Sequence, residues 1–263
     1  MLDRQALHAA SAMLWEHWQE GRRMPALPTR LRPTTRDEGY AVQALLEARS
    51  RYPLFGWKIA ATSTAGQAHI GVDGPLAGRL LREQVREAES RLPLGPNHMR
   101  VAEPEFAFRI GDDLPPRPTP YNVQEVLAAV ETTLPAIEIP DSRYEDFSKV
   151  GAAQLIADDA CAHQFVLGSA TLAAWRGIDM VEHAVVGTVA GKLERRGKGA
   201  NVLGDPRQAL TWLVNELSAL GIGVRAGQVI TTGTCMVPLP IAPGDRVTAD
   251  FGKLGRVEVQ FED

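Results

Sequence analysis

Two glutamates spaced two residues apart raise the chemical question, in the run Val101-Ala102-Glu103-Pro104-Glu105-Phe106-Ala107-Phe108. On an extended chain alternate residues share a face, so Glu103 and Glu105 point one way. Pro104, Phe106 and Phe108 point the other way, into a core. Neighbouring carboxylates repel unless one takes a proton or a cation sits between them. Pro104 cannot donate to a ladder, which predicts an edge or an irregular strand. Two solvated glutamates on the wet face of a sheet are the plainer reading of the pair. A second run, Ala136-Ile137-Glu138-Ile139-Pro140-Asp141-Ser142-Arg143, sets a lone acid among apolar residues. A buried carboxylate needs a partner. Arg143 is one candidate, and convergence with Glu103 and Glu105 on a shared cation is the other. Three carboxylates without a His or Cys pair suit Mg²⁺ or Mn²⁺ better than Zn²⁺.

Phe55-Gly56-Trp57-Lys58-Ile59-Ala60 places a lysine between bulky apolar neighbours. Burial there would lower its pKa toward the proton-transfer range, whereas alternation could equally turn Lys58 out to water. Gly71-Val72-Asp73-Gly74-Pro75 reads first as a turn. Leu155 to His163 carries Asp158, Asp159 and Cys161 in an otherwise apolar stretch. Thr231-Thr232-Gly233-Thr234-Cys235 follows an apolar strand, where hydroxyls often meet anionic groups. The sequence holds no Gly-x-Ser-x-Gly elbow, phosphate loop or His-Glu-x-x-His helix. Its six histidines are scattered without metal-ligand spacing, which assigns them to structure or surface.

The elements that must position these groups divide the chain in two. Residues 1–54 read as a helical N-terminal region: Leu7, Ala10, Leu14 and Trp18 recur at helical spacing before Gly21. Thr35 and Glu38 have the spacing of a capping box. Residues 55–263 break into short apolar runs punctuated by Gly and Pro, a β-rich catalytic domain. Within it, Asn122 predicts a cap for a helix to about Thr133, stopped by Pro135. Asp205-Pro206 starts another helix that ends before Gly221, and a third lies near Ala170 to Trp175. Alternation at Val257, Val259 and Phe261, with a turn at Gly252 to Gly255, predicts a terminal hairpin.

Composition narrows the function classes. With 28 Lys+Arg against 32 Asp+Glu there is no basic excess, so nucleic acid or an anionic membrane is an unfavoured partner. The chain has no apolar run of about 18 residues and no signal-like start, which predicts a cytoplasmic protein. Two cysteines, Cys161 and Cys235, are expected as free thiols.

Taken together, the segments resemble the fumarylacetoacetate hydrolase superfamily, and within it the hydratase/decarboxylase branch typified by 2-hydroxypenta-2,4-dienoate hydratases. The resemblance rests on Gly56-Trp57-Lys58, Gly71-Val72-Asp73, Glu103 to Phe108, Ala136 to Ile139, Asp158 to Cys161, Phe165 to Gly168, Gly204-Asp205-Pro206 and Pro243-Gly244-Asp245, in that order from about Tyr40 onward. It implies an α+β fold, a distorted, barrel-like β-roll behind helices. It also implies a Mg²⁺ or Mn²⁺ site at Glu103, Glu105 and Glu138. The activity implied is hydration of a 2-hydroxy-dienoic or 2-oxo acid, with Lys58 as acid/base helped by Asp73, and with Thr234, Asp158 and Cys161 near the substrate. Cys161 stands where the family often carries serine. Decarboxylation of a 4-oxalocrotonate-type acid, acylpyruvate hydrolysis and a catalytically silent binder of metal and oxo-acid are the competing readings. A homo-oligomer (a dimer or a ring of dimers) and a decarboxylase or aldolase pathway partner are also implied.

Overall fold

The computed structural model describes residues 2–262. Helix α1 (Arg4–Glu20) starts where Asp3 accepts the Ala6 amide and ends at Gly21, whose φ of 64° only glycine adopts readily. Helix α2 (Arg36–Ala44) is capped by Thr35, which accepts from Glu38 N. The Glu38 carboxylate reaches back past the cap to Thr34 N and also takes Leu2 N, tying the start of the chain to α2. Next come β1 (Gly56–Ala60), α3 (Thr64–Ile70), β2 (Leu76–Leu80), β3 (Val85–Glu87), β4 (Ser90–Pro93) and β5 (Val101–Ile110). The middle of the chain forms α4 (Val123–Ala128), β6 (Val130–Ile139), α5 (Ala152–Ala157), β7 (Gln164–Leu167), β8 (Ala184–Val189) and β9 (Leu193–Lys198). Last are α6 (Pro206–Ala219), β10 (Val229–Thr234), β11 (Leu239–Pro240), β12 (Arg246–Asp250) and β13 (Arg256–Glu262).

Two sheets carry the fold. The larger has the order β2-β1-β10-β5-β6-β7-β3, with β11 added at the start of β5; the smaller runs β4-β13-β12-β8-β9. They pack across an apolar core in which Phe106 of β5 meets the Phe251 ring edge-on at 5.1 Å. The terminal hairpin forms as its alternation predicts, with Val247 opposite Val259. Helix α6 is capped by Asp205, as expected.

Two helical expectations fail. The segment capped by Asn122 stops at Ala128, and Val130, Thr132 and Thr133 enter β6 instead. Their β-branched side chains favour a strand once β5 offers a partner. Pro135 lies within β6, at the point where pairing with β7 begins at Ala136, so its missing N–H costs that ladder nothing. Near Ala170 to Trp175 no α-helix forms; Trp175–Gly177 make one 3₁₀ turn. Pro104 is likewise not on an edge: β5 is interior, and the irregularity lies in its neighbour β10, whose register shifts between Thr231 and Thr234. Among the described residues, no helix is long and apolar enough to cross a membrane.

Candidate active site and metal centre

Strand register brings the acids together. Glu103 of β5 is paired with Glu138 of β6, and Glu105 lies opposite Ala136 on β6 and Thr234 on β10. Alternation puts these glutamates on one face of the large sheet, while Phe106, Phe108, Ile137 and Ile139 fill the core on the other. On β1, Trp57 is level with Ile230 of the core face, so Lys58 emerges on the acidic face. One carboxylate oxygen from each of Glu103, Glu105 and Glu138 lies within 4.8 Å of the others. Lys58 Nζ sits 3.0 Å from Glu138 Oε1 and donates to Ala160 O at 2.8 Å.

The electrostatics are those of a site built for more positive charge than the protein supplies. Glu105 and Glu138 are fully buried. Burial, then the charge of Glu138, pushes the Glu103 carboxyl up to about 8. Burial and the neighbouring acids hold Glu105 well above the usual carboxylate range, and burial also raises Glu138, against the pull of Lys58. Glu105 Oε2 accepts from Gly233 N at 2.9 Å. Glu105 Oε1 and Glu138 Oε2 receive no bond from any N–H or hydroxyl of the described residues. Oxygen-only donors, two of them unsatisfied and all three crowded, fit a hard divalent cation.

Lys58 corrects its sequence expectation. Burial alone would lower its pKa, but Glu138, Glu105 and Glu103 outweigh burial and raise it above the ordinary lysine value. Against the carboxylates alone, Lys58 is held as an ammonium. The choice of partner for Glu138 is also settled: it pairs with Lys58, while Arg143 pairs with Asp158.

A cavity of about 930 Å³ opens over the acidic face and is lined by Lys58, Glu103, Cys161 and Thr234, by the polar Ser63, Thr64 and Asn201, and by apolar side chains. Thr234 Oγ1 donates to Met236 O at 2.9 Å. Cys161 is a free thiol that burial, then Asp158, pushes up to about 12. Cys235 is free as well. Two expected residues are not brought in. Asp158 is buried beneath the wall, where it accepts from Ser142 Oγ and Arg143 and serves structure. The Asp73 carboxylate is 91% exposed, faces Arg36 at 3.9 Å and does not line the cavity.

Sequence reasoning missed the backbone that supports the site. Asp159, Ala160 and Cys161 all hold positive φ, between 50° and 62°, a strained run that presents Ala160 O to Lys58. Asp159 pins that run by accepting the Arg79 amide. Gly233, at φ 88°, leaves its N–H to Glu105 at the β10 irregularity, and the Thr-Gly-Thr sequence after an apolar strand was its only signal. The cavity walls from α3 and from the 3₁₀ turn Phe147–Lys149 carry no periodic pattern at all.

The comparisons with known proteins agree with this geometry. Residues 81–262 match the fumarylacetoacetate hydrolase C-terminal domain. The 2-keto-4-pentenoate hydratase of Paraburkholderia xenovorans (strain LB400) is 32% identical over 257 residues, covering 96% of this chain and 94% of that protein. The 4-oxalocrotonate decarboxylase of Pseudomonas sp. (strain CF600) is 30% identical, over 86% of this chain and 83% of its own. Among solved structures, the 4-oxalocrotonate decarboxylase from Pseudomonas putida G7, complexed with magnesium and adipate, superposes with a TM-score of 0.90 at 26% identity and 99% coverage of both chains.

Proposed function

Since the chain belongs to the fumarylacetoacetate hydrolase family, we propose that it is a metal-dependent hydro-lyase of aromatic-compound degradation. It would add water to 2-hydroxypenta-2,4-dienoate and give 4-hydroxy-2-oxopentanoate. The observation that carries this reading is the convergence of Glu103, Glu105, Glu138 and Lys58 on one sheet face beneath a cavity. Relatives named 2-keto-4-pentenoate hydratase, matched along nearly the whole chain, support it.

Glu103, Glu105 and Glu138 would hold Mg²⁺ or Mn²⁺, which when bound supplies an electron sink for negative charge on the 2-oxygen of the acid. Hydration requires a proton delivered to the far carbon as the dienol ketonises. Water then adds at the conjugated carbon, and a proton is returned beside the carbonyl. Lys58 is the proton carrier: it lines the cavity, its buried Nζ is held in place by Glu138 and Ala160 O, and the charge of a cation on the three glutamates would offset their pull on its proton. The Asp73 side chain lies outside the cavity, so this role rests on Lys58 alone. Thr234 is assigned the substrate carboxylate, exchanging its bond to Met236 O for one to the acid. Cys161 keeps its proton and closes the wall without acting as a nucleophile.

Decarboxylation of a 4-oxalocrotonate-type acid is the second reading, favoured by the close superposition on a decarboxylase. Purified protein given Mg²⁺ or Mn²⁺ and both acids in turn tests the choice. Formation of 4-hydroxy-2-oxopentanoate supports the hydratase, and CO₂ release from the diacid without hydration replaces it. The proposal includes a cytoplasmic homo-oligomer, as the family resemblance implies. A clean monomer mass by light scattering at micromolar concentration contradicts that assembly.

A further inference from the structure

The walls of the cavity differ in kind from its floor. The charged lining groups are Lys58 and Glu103, above the buried Glu105 and Glu138. Around them stand Ile70 from the last turn of α3, Met99 and Val101 at the entry to β5, Phe147 from a 3₁₀ turn, and Leu155 from α5. Ile70, Met99, Val101 and Phe147 are only partly buried, so these apolar side chains face the empty volume and are not sealed in the core. Apolar surface held open inside a concave site marks where a ligand's apolar part sits.

Charge sharpens the reading. Among the described residues lining the cavity, Lys58 is the sole lysine or arginine, and it is already committed to Glu138 and Ala160 O. His69, whose ring stands edge-on to Phe147 at 5.9 Å, is exposed at the rim. The neutral polar lining is partly engaged: Ser63 Oγ accepts Gly66 N and Asn201 donates to Cys235 O, so a carboxylate at the far end of a substrate would lose water against these walls without meeting a fixed counter-charge. Size points the same way. The volume of about 930 Å³ lies near the top of the range for drug-sized ligands, roughly 300–1,000 Å³, and a five-carbon acid leaves most of it unfilled.

We propose that the site prefers a 2-hydroxy- or 2-oxo-acid bearing an apolar alkyl or aryl tail of several carbons, seated against Ile70, Met99, Phe147 and Leu155, and rejects acids with a carboxylate at that end. This preference rests on the metal-dependent oxo-acid reading above and names the substrate class within it. Phe147 and Ile70 are specificity residues that touch the tail and leave the acid end alone.

Binding is the direct test, because saturated 2-oxo acids have no double bond to hydrate. Calorimetric titration of the Mg²⁺-loaded protein would compare 2-oxopentanoate, 2-oxooctanoate and 2-oxoadipate. Each buried methylene strengthens binding about fourfold, so the three added in 2-oxooctanoate should tighten Kd by roughly 10–60-fold. 2-Oxoadipate should bind at least about tenfold more weakly than 2-oxopentanoate. Phe147→Ala should erase most of the octanoate advantage while weakening 2-oxopentanoate far less; Phe147→Arg should raise affinity for 2-oxoadipate. Both substitutions fall on a partly exposed side chain of a short turn, and unchanged thermal melting would show that the fold persists. Equal affinities, a preference for 2-oxoadipate, or no binding of any of the three overturns the proposal. Hydration of 2-hydroxypenta-2,4-dienoate measured alongside reads the parent function separately. Product formation with the wrong tail order sinks the tail preference alone, and the right order without product sinks the hydratase reading alone.

Discussion

Replacing Lys58 by methionine keeps the apolar stem of the side chain, one atom shorter, and removes its charge and its proton. The ammonium is 3% exposed, 3.0 Å from Glu138 Oε1 and 2.8 Å from Ala160 O, so the change touches two partners at once. If Lys58 carries the proton, turnover falls by about 10²–10⁴-fold, the usual range for one general acid/base. Metal binding should move the other way. The ammonium competes with a divalent cation for Glu138, and two unit charges about 4 Å apart interact by about 4 kcal/mol at an effective dielectric of 20. Its removal should therefore tighten Mg²⁺ binding by tenfold or more. Stability of the metal-free protein should fall. Breaking a buried pair costs about 3–5 kcal/mol when the remaining charge stays ionised. Glu138 can instead take up a proton, which its burial already favours, leaving the unsatisfied Ala160 carbonyl at about 1–3 kcal/mol. For a chain of this size that lowers Tm by roughly 3–10 °C, and saturating Mg²⁺ should restore most of it. Lys58→Arg should be nearly as damaging to turnover, because guanidinium stays charged. Loss of dienoate absorbance gives the rate, calorimetry the metal affinity, and melting the stability. Wild-type turnover in Lys58→Met would refute the reasoning and move the proton carrier elsewhere.

Three further outcomes follow from the geometry. Gly233→Ala puts a Cβ 2.1 Å from Thr62 Oγ1 at a φ of 88°, so it should cost roughly 1–3 kcal/mol from strain alone and weaken Mg²⁺ binding by displacing the N–H that holds Glu105; unchanged melting and metal affinity would contradict this. His163 Nδ1 accepts from Trp18 Nε1 at 2.8 Å, and burial, assisted by Arg143, pushes its pKa down to about 4 against the effect of Asp141. The unfolded chain, near 6.5, takes up that proton first as pH falls. Stability is therefore whole above about pH 6.5 and declines toward pH 4, by roughly 2 kcal/mol between pH 7 and 5, with a flatter slope in His163→Gln when urea midpoints are compared. Cys161, its thiol held protonated by burial, should react with iodoacetamide at pH 8 far more slowly than a free thiol, and Cys161→Ser should keep turnover within about threefold.

The three glutamates were legible because their signals are local. Period-two alternation puts Glu103 and Glu105 on one face, and a lone acid in an apolar run asks for a partner. Which partner it finds was not legible. Lys58 and Glu138 lie on β1 and β6, strands separated by β10 and β5, and no neighbouring residue encodes that order. The direction of the Lys58 shift was misread for the same reason: burial could be inferred from Trp57 and Ile59, but three surrounding carboxylates could not. The Asn122 cap was read correctly, yet the far end of its helix was lost to β-branched residues that a long-range strand partner recruits. Asp158 reads as a site residue only through the family-like segment Asp158 to Cys161, and the arginine that claims it lies fifteen residues away. The cavity walls come from a short helix, a 3₁₀ turn and a loop, where side-chain direction depends on tertiary packing.

The central claim is that three glutamates on one sheet face hold the cation on which hydration depends. Its most direct measurement is a titration of Mg²⁺ into metal-stripped protein while turnover of 2-hydroxypenta-2,4-dienoate is followed, for the native chain and for Glu138→Ala. Turnover should return in step with one bound cation per chain, and Glu138→Ala should bind the ion weakly and stay silent. Full activity in the stripped protein, or in Glu138→Ala without added metal, would contradict it.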